Sequence, residues 1–315
     1  MAKLTTVHMR GQLRAPPADN FSLILSQADL TPIELWKQFE PDLKWRVEKP
    51  GRVAVMDGQS TVMYIKPANW AMKFPQRTQS AFDTEWLHRI ANLSVTITNE
   101  LQNAIAKGWK LHLAEERSAD GRTMAVVTIE TKSGLPENDY LKNKFVDSAD
   151  TRRVYRFDSE TERLESVQVY VISGSTELQV FELTQIEYDQ PLDPALFHLE
   201  LPANVSWYQE AQVLPDNQKY ASLTAEEAAR VFFEACGRAD WTEVAKFEQL
   251  PYNDDVKAYV AGLQVISLGK AFSSQGTDAR FVPYEIKLRN GETKKHNLAL
   301  KRDRKTNRWL VDGGF

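Results

Sequence analysis

The chain has 315 residues, of which 42% are hydrophobic and 26% charged, and a formal net charge of −4. That length gives room for about two domains, each with its own core, and the slight acidity argues against nucleic acid as the main partner. A single cysteine, Cys236, excludes an internal disulfide and a cysteine-based zinc site, and no apolar run reaches the length of a membrane-spanning helix.

Taken in order, Thr5–Arg14 reads as a strand that Pro16-Pro17 ends, and Phe21–Leu25 is a short apolar run. Thr31-Pro32-Ile33-Glu34 carries helix-start chemistry. Yet Ile33, Leu35, Lys37 and Phe39 alternate against Glu34, Trp36 and Gln38, so periodicity leaves helix and strand both open. Lys44–Lys49, Val53–Met56 and Thr61–Ile65 form a meander turned at Pro50-Gly51 and Asp57-Gly58. A three-residue turn at Pro67-Ala68-Asn69 sets Tyr64 opposite Met72 and Val62 opposite Phe74, and with Trp70 these make one aromatic, sulfur-rich face. Core packing is the plainer account of that face; an apolar binding surface is the other.

Asp83 is placed to cap a helix over Thr84–Asn92, with Trp86 on its apolar side. Thr98 is placed to cap another over Asn99–Lys107, with Leu101, Ala104 and Ile105 inside and Gly108 as its stop. Trp109–Glu115 and Thr123–Thr131 return to strand, and Ser133–Asp150 reads as a polar, exposed loop. From Arg153 to Pro202 the pattern is almost continuous sheet. Val167, Val169 and Val171 share one side of a strand, Ser173-Gly174-Ser175 turns the chain, and a loop of odd length sets Val169 opposite Phe181 and Val167 opposite Leu183.

Three stretches, "WRVEKPGRVAVMDGQSTVMYIKP", "VYRFDSETERLESVQVYV" and "FELTQIEYDQPLDPALFHLELPANV", resemble the periplasmic lipoprotein-carrier (LolA/LolB-like) family, which includes sensor proteins regulating envelope-stress sigma factors. The resemblance covers roughly residues 5–206. It implies a curved antiparallel half-barrel covered by helices, with an apolar cavity between sheet and helices, and it favours a strand at 31–39. No functional residue of the family transfers by motif.

Ala203–Leu223 has little periodicity, and the domain boundary is expected there, with residues 207–218 as linker between domains at 1–206 and 219–315. Thr224-Ala225-Glu226-Glu227 is a capping box, followed by Ala228, Val231, Phe232 and Ala235 at helical spacing; Asp240-Trp241-Thr242-Glu243 is a second. Asp254–Ala261 continues helical. Strands follow at Leu263–Gly269, Arg280–Arg289, Glu292–Leu300 and Arg308–Asp312, with Arg289-Asn290-Gly291 as a three-residue loop that keeps Tyr284 on the face of His296. The stretches "TAEEAARVFFEACGRADWTEVAKF" and "NRWLVDGGF" resemble the ketosteroid-isomerase-like (SnoaL-like, nuclear transport factor two-like) cone fold, which hosts enzymes and inert binding modules alike. The expected class is therefore α+β throughout.

Chemistry is thinly marked. The five histidines, His8, His88, His112, His198 and His296, have no metal-ligand spacing, and no HExxH, P-loop, GxGxxG or GxSxG motif occurs. Neither a metal nor a cofactor is expected. One constellation stands out, Tyr284 and His296 with Trp309, although no acidic residue is placed beside it. The reading that follows is a non-enzymatic extracytoplasmic binding or sensor protein. Tyr64, Met72, Phe74 and Trp86 would line an apolar cavity in the first domain, and Tyr284, His296 and Trp309 a site in the second. Its partners would be a lipid or acyl chain and an envelope protein, with no nucleic acid. An export signal or membrane anchor is expected upstream of Met1. Two rivals stay open, a periplasmic lipoprotein or lipid carrier and a cone-fold enzyme using the second domain. Limited proteolysis is expected to cut within 203–223 and leave two protected fragments. A single cut inside Val53–Ile65, with that segment intact, would overturn the boundary.

Overall fold

The computed structural model describes residues 4–14, 30–75, 93–144, 146–208, 210–248 and 252–314. The fold is α+β, with a large open curved sheet and a smaller second sheet accompanied by helices. Contacts divide the chain into two compact units, Met1–Pro67 with Met72–Pro202, and Ala68–Ala71 with Ala203–Phe315.

The strands of the first unit are β1 (Thr6–Arg14), β2 (Leu30–Gln38), β3 (Lys44–Lys49), β4 (Arg52–Met56), β5 (Ser60–Ile65), β6 (Trp70–Pro75), β7 (Lys110–Arg117), β8 (Thr123–Thr131), β9 (Asp150–Asp158), β10 (Leu164–Ser173) and β11 (Thr176–Tyr188), with helix α1 (Leu93–Lys107) before β7. They lie in the order β6-β5-β4-β3-β2-β1-β11-β10-β9-β8-β7. The segment whose periodicity left helix and strand open is strand over Leu30–Gln38, and its alternation prevails over its helix-start residues. Alternate side chains of every central strand meet in one core, among them Val7, Met9 and Leu13 of β1, Leu35 of β2, Trp45 of β3 and Phe181 of β11, each no more than 2% exposed. A fully buried side chain of this size contributes about 1.5–3 kcal/mol, so the core face decides which way each strand turns.

The expected pairs Val167↔Leu183 and Val169↔Phe181 form, but by a different route. The turn is only two residues, Gly174-Ser175, because Ser173 pairs with Thr176, and a bulge at Val169/Tyr170 restores the faces by adding Val180 to β11. Residues 133–149 also differ from the exposed loop expected there. Val146 and Ala149 are buried in the core, and the Lys142 amine donates to Ser133 Oγ at 2.9 Å and pairs with Asp150 at 3.1 Å. Helix α1 begins at Leu93, ahead of the expected Asn99; among its described side chains Ala104 is buried, while Ile105 is 83% exposed. Glu100 ties it down through an ion pair with Arg153. The helix expected at 84–92 and the run Phe21–Leu25 lie outside the described residues.

In the second unit, β12 (Ser206–Trp207) pairs in parallel with Trp70 and Ala71. Helices α2 (Asn217–Ala221), α3 (Ala225–Gly237), α4 (Trp241–Val244) and α5 (Asp254–Val260) precede β13 (Gln264–Leu268), β14 (Phe272–Ser273), β15 (Arg280–Lys287), β16 (Thr293–Arg302) and β17 (Trp309–Gly313). The sheet order is β13-β15-β16-β17, with β14 beside β15. Thr224 and Glu227 form the full capping box on α3, and Phe232, Phe233, Ala235 and Cys236 are buried against β15 and β16. Within the segment expected to be linker, Ala211 is buried and the Gln212 carbonyl accepts from Arg308 at 3.0 Å.

Gly11 sits at a second bulge, where the β1–β11 register shifts, and a Cβ there would stand 2.7 Å from the Glu182 carbonyl oxygen. Gly11→Ala is expected to destabilise the first unit by about 1–3 kcal/mol in urea denaturation, the range of overpacking changes. An unchanged midpoint would mean that the bulge yields freely.

Candidate functional site

The first unit has a cleft on the sheet face opposite its core. There β4 and β5 pair Val53 with Tyr64 and Val55 with Val62. Because Ala54 and Met56 of β4 enter the core, Val53 and Val55 must stand on the other side. A strap of chain covers them. Its single turn of 3₁₀ helix, Pro194–Phe197, is capped by Asp193, whose carboxylate accepts from Ala195 N at 2.9 Å. Phe197 seats on Val53 and Val55 with Leu192 and Leu199 beside it. Arg46 on β3, paired with Glu48, donates to the Leu196 carbonyl at 3.0 Å and so fixes the strap to the sheet. Between these two attachments lies a cleft of about 520 Å³, with Tyr64, Val53 and Leu199 along it and Lys66, His198 and Glu200 at its polar side. The arrangement can take an apolar group against Tyr64 and a polar one against the rim.

The three described first-domain candidates, Tyr64, Met72 and Phe74, are not brought together. Tyr64 lines this cleft, whereas Phe74 packs with Met63 against the core on the opposite face. Met72 follows Phe74 by strand alternation. The physical reason is the turn, which spans residues 66–69, one residue more than the expected loop, and one residue exchanges every side chain between faces. Trp86 lies outside the described residues. Arg46 and the strap went unmarked in the sequence; the visible signal was Pro191 to Phe197, a proline-bounded apolar segment directly after the last strand.

In the second unit the expected pair forms. Tyr284 is registered opposite His296, and both line a cleft of about 440 Å³ with Pro283, Asn297 and Leu268. The loop is three residues, with Gly291 at φ 88°. Tyr284 is buried, its ring 4.8 Å from that of Phe233, and its hydroxyl donates to the Gly314 carbonyl at 3.0 Å. His296 is exposed, and its Nδ1 accepts from Asn297 N at 2.7 Å, which leaves the ring proton on Nε2. Contrary to the expectation that no acid stands beside the pair, Glu285 and Lys295 also line this cleft, held to one another at 3.2 Å. Trp309 has a separate task. Its indole N–H donates to the Leu223 carbonyl at 3.1 Å under the Arg302 guanidinium, joining β17 to the start of α3.

The sequence reading missed an acid in this unit. Glu248 follows the buried Phe247, and burial pushes its carboxyl up to about 8, against the opposing effect of its hydrogen bond with Tyr252. Burial likewise raises the Tyr252 hydroxyl well above its ordinary value, and lifts the Cys236 thiol to about 12, which makes it a poor nucleophile. Among the described residues no cluster of three His, Cys, Asp or Glu side chains could hold a metal ion, and no helix is long and apolar enough to cross a membrane. Because folded Glu248 keeps a proton that the unfolded chain releases near pH 4.5, its contribution is full below that pH and is lost as pH rises through about 8. The denaturation midpoint of the second unit is expected to fall across that window, and Glu248→Gln to flatten the fall. An unaltered slope in the variant would assign the pH dependence elsewhere.

No family model and no curated protein matches the chain. Among solved structures it is similar to an uncharacterized conserved protein from Thermus thermophilus, at 11% identity and a TM-score of 0.35, over 64% of this chain and 89% of that one. It is also similar to MucB in complex with MucA(peri), at 10% identity and a TM-score of 0.31, over 95% of this chain and 75% of that one. The MucA/MucB complex of Pseudomonas aeruginosa matches at 11% identity, a TM-score of 0.31 and the same coverage. Likeness this distant leaves the function to be argued from the chain's own residues.

Proposed function

We propose that this chain is a non-enzymatic binding protein of the extracytoplasmic space, and that its first unit takes an amphipathic ligand, an acyl chain with a polar head, in the cleft beside Tyr64. The observation that carries the reading is the composition of that cleft, with Tyr64, Val53 and Leu199 for the chain and a rim of both charges, Arg46, Lys66 and His198 beside Glu48, Asp193 and Glu200, for the head. Its volume falls within the roughly 300–1,000 Å³ usual for small-molecule sites. Each methylene that leaves water there gains about 0.8 kcal/mol.

The non-enzymatic part rests on how the candidate groups are employed. A general base or nucleophile must lie within hydrogen-bond reach of its partner and of the reacting atom. The Tyr284 hydroxyl is instead engaged by the Gly314 carbonyl, the His296 Nδ1 by a backbone amide, and the Cys236 thiol is buried. The extracytoplasmic setting, and an envelope protein as second partner, rest on the resemblance of residues 5–206 to the lipoprotein-carrier family.

Titration with a fluorescent long-chain fatty acid is expected to show saturable binding. Tyr64→Ala should weaken it about tenfold, the equivalent of 1.4 kcal/mol, and His296→Ala should leave it unchanged. Binding indifferent to Tyr64 would remove the cleft from the proposal. A turnover abolished by His296→Ala in a folded chain would overturn its non-enzymatic part.

A further inference from the structure

We propose that the chain self-associates through the open edge of β7, which pairs antiparallel with β7 of a second copy about a two-fold axis at Leu113. Among the described residues β7 closes the sheet order, with β8 on one side and no strand on the other. All eight of its residues are exposed, and its sequence, KLHLAEER, has no proline, glycine or bulge to blunt the edge. Such an edge presents a row of backbone donors and acceptors ready to pair. Leu111 and Leu113, 39% and 74% exposed, are registered with Ile129 and Val127 and so stand on the core side of the sheet.

The charges of the opposite face say what fits against this edge. One row runs across the strands as Glu177, Arg152, Glu130 and Lys110: Arg152 pairs with Glu177 at 2.5 Å, Glu130 lies opposite Arg152, and Lys110 pairs with Glu130 at 3.1 Å. A second runs as Glu182, Gln168, Arg156 and Glu116, linked at 3.0, 3.0 and 3.1 Å. The rows therefore reach the open edge as a cation and an anion six positions apart. A strand that continues both must offer an acid to Lys110 and a base to Glu116. β7 turned antiparallel does so with its own residues, Glu116 of each copy facing Lys110 of the other.

The same register suits the core side. Leu113 meets its symmetry mate, with Leu111 of each copy as diagonal neighbour, and Leu111 lies opposite Glu115 of the other copy, against whose methylenes it can pack. A shift of one residue would set the leucines against His112 and Ala114, so the faces permit only even shifts. A self-complementary patch of this kind is what closes a two-fold dimer.

The test uses the full chain. Sedimentation velocity is expected to show a reversible dimer at micromolar concentration. Residues on the axis have Cα atoms about 4.5–5.5 Å apart, within disulfide range, whereas Leu111 stands about 13 Å from its mate. Leu113→Cys should therefore cross-link on oxidation and Leu111→Cys should not; the native Cys236 is buried and gives no background. Lys110→Glu alone and Glu116→Lys alone place like charges opposite, and each should weaken its own dimer about tenfold. Mixed together they should form a heterodimer, because each then supplies the charge the other lacks. A monomeric wild-type chain, cross-linking at Leu111 in place of Leu113, or reversed chains that stay apart on mixing would each overturn the proposal.

Discussion

The first unit depends on one long-range pairing, that of β1 with β11. Among β1 to β11 every other pair of neighbouring strands is also consecutive in sequence: β2 through β6 form one meander and β7 through β11 another. Only β1 holds the two meanders in one sheet, by matching Val7 to Tyr188 and Leu13 to Phe181 across the Gly11 bulge. The end of the pair is secured by Asp189, which accepts from Thr5 N at 2.9 Å and Thr5 Oγ1 at 3.0 Å over a separation of 184 residues. Loop entropy grows slowly with length, about 0.6 kcal/mol per doubling, so the cost of this closure is modest at equilibrium. Its kinetic cost is greater, because the contact must be found before burial rewards it. His8 stands at the junction. Its two ring nitrogens meet Glu34 of β2 at 2.6 Å and Glu187 of β11 at 3.1 Å while the ring stacks on Trp36, and this bond holds the Glu187 carboxyl below its ordinary value.

What the sequence made legible follows from the physics of alternation and caps. Val167, Val169 and Val171 could share a face in only one way, and Thr224 with Glu227 satisfies the free amides of α3 in a manner that needs no tertiary contact. The Tyr284–His296 register was readable because Gly291 marks the left-handed position of its loop. The failures occur where a single residue decides a face. The turn at 66–69 is one residue longer than Pro67-Ala68-Asn69 suggests, which is enough to separate Tyr64 from Phe74. Two errors cancelled at the other hairpin, where a two-residue turn and the bulge at Tyr170 leave the same pairs as an odd loop. Ile105 and Glu248 were missed for another reason. Periodicity tells which residues could be buried, but only tertiary packing fixes how far a helix end or a short turn extends into the core.

The outer face of the sheet shows why a cleft forms at one end. Over β7 to β11 that face carries crossed charge rows, and exposed ion pairs of this kind are worth roughly 0–1 kcal/mol each. They keep the surface wet and make a slipped register costly, because like charges would then meet, but they give no other segment a reason to pack there. Over β4 and β5 the same face changes to Val53, Val55, Val62 and Tyr64, which cannot be left in water without loss. The strap answers that demand with Phe197, one large side chain against two valines, and with the Arg46 guanidinium against its backbone. Two attachments cover less surface than a helix would. Tyr64 is left beside the gap between them, its ring sheltered and the cleft still open to solvent. Sites of interaction in this unit thus follow from where its two-faced pattern is incomplete: where the outer face becomes apolar, and where the row of strands stops.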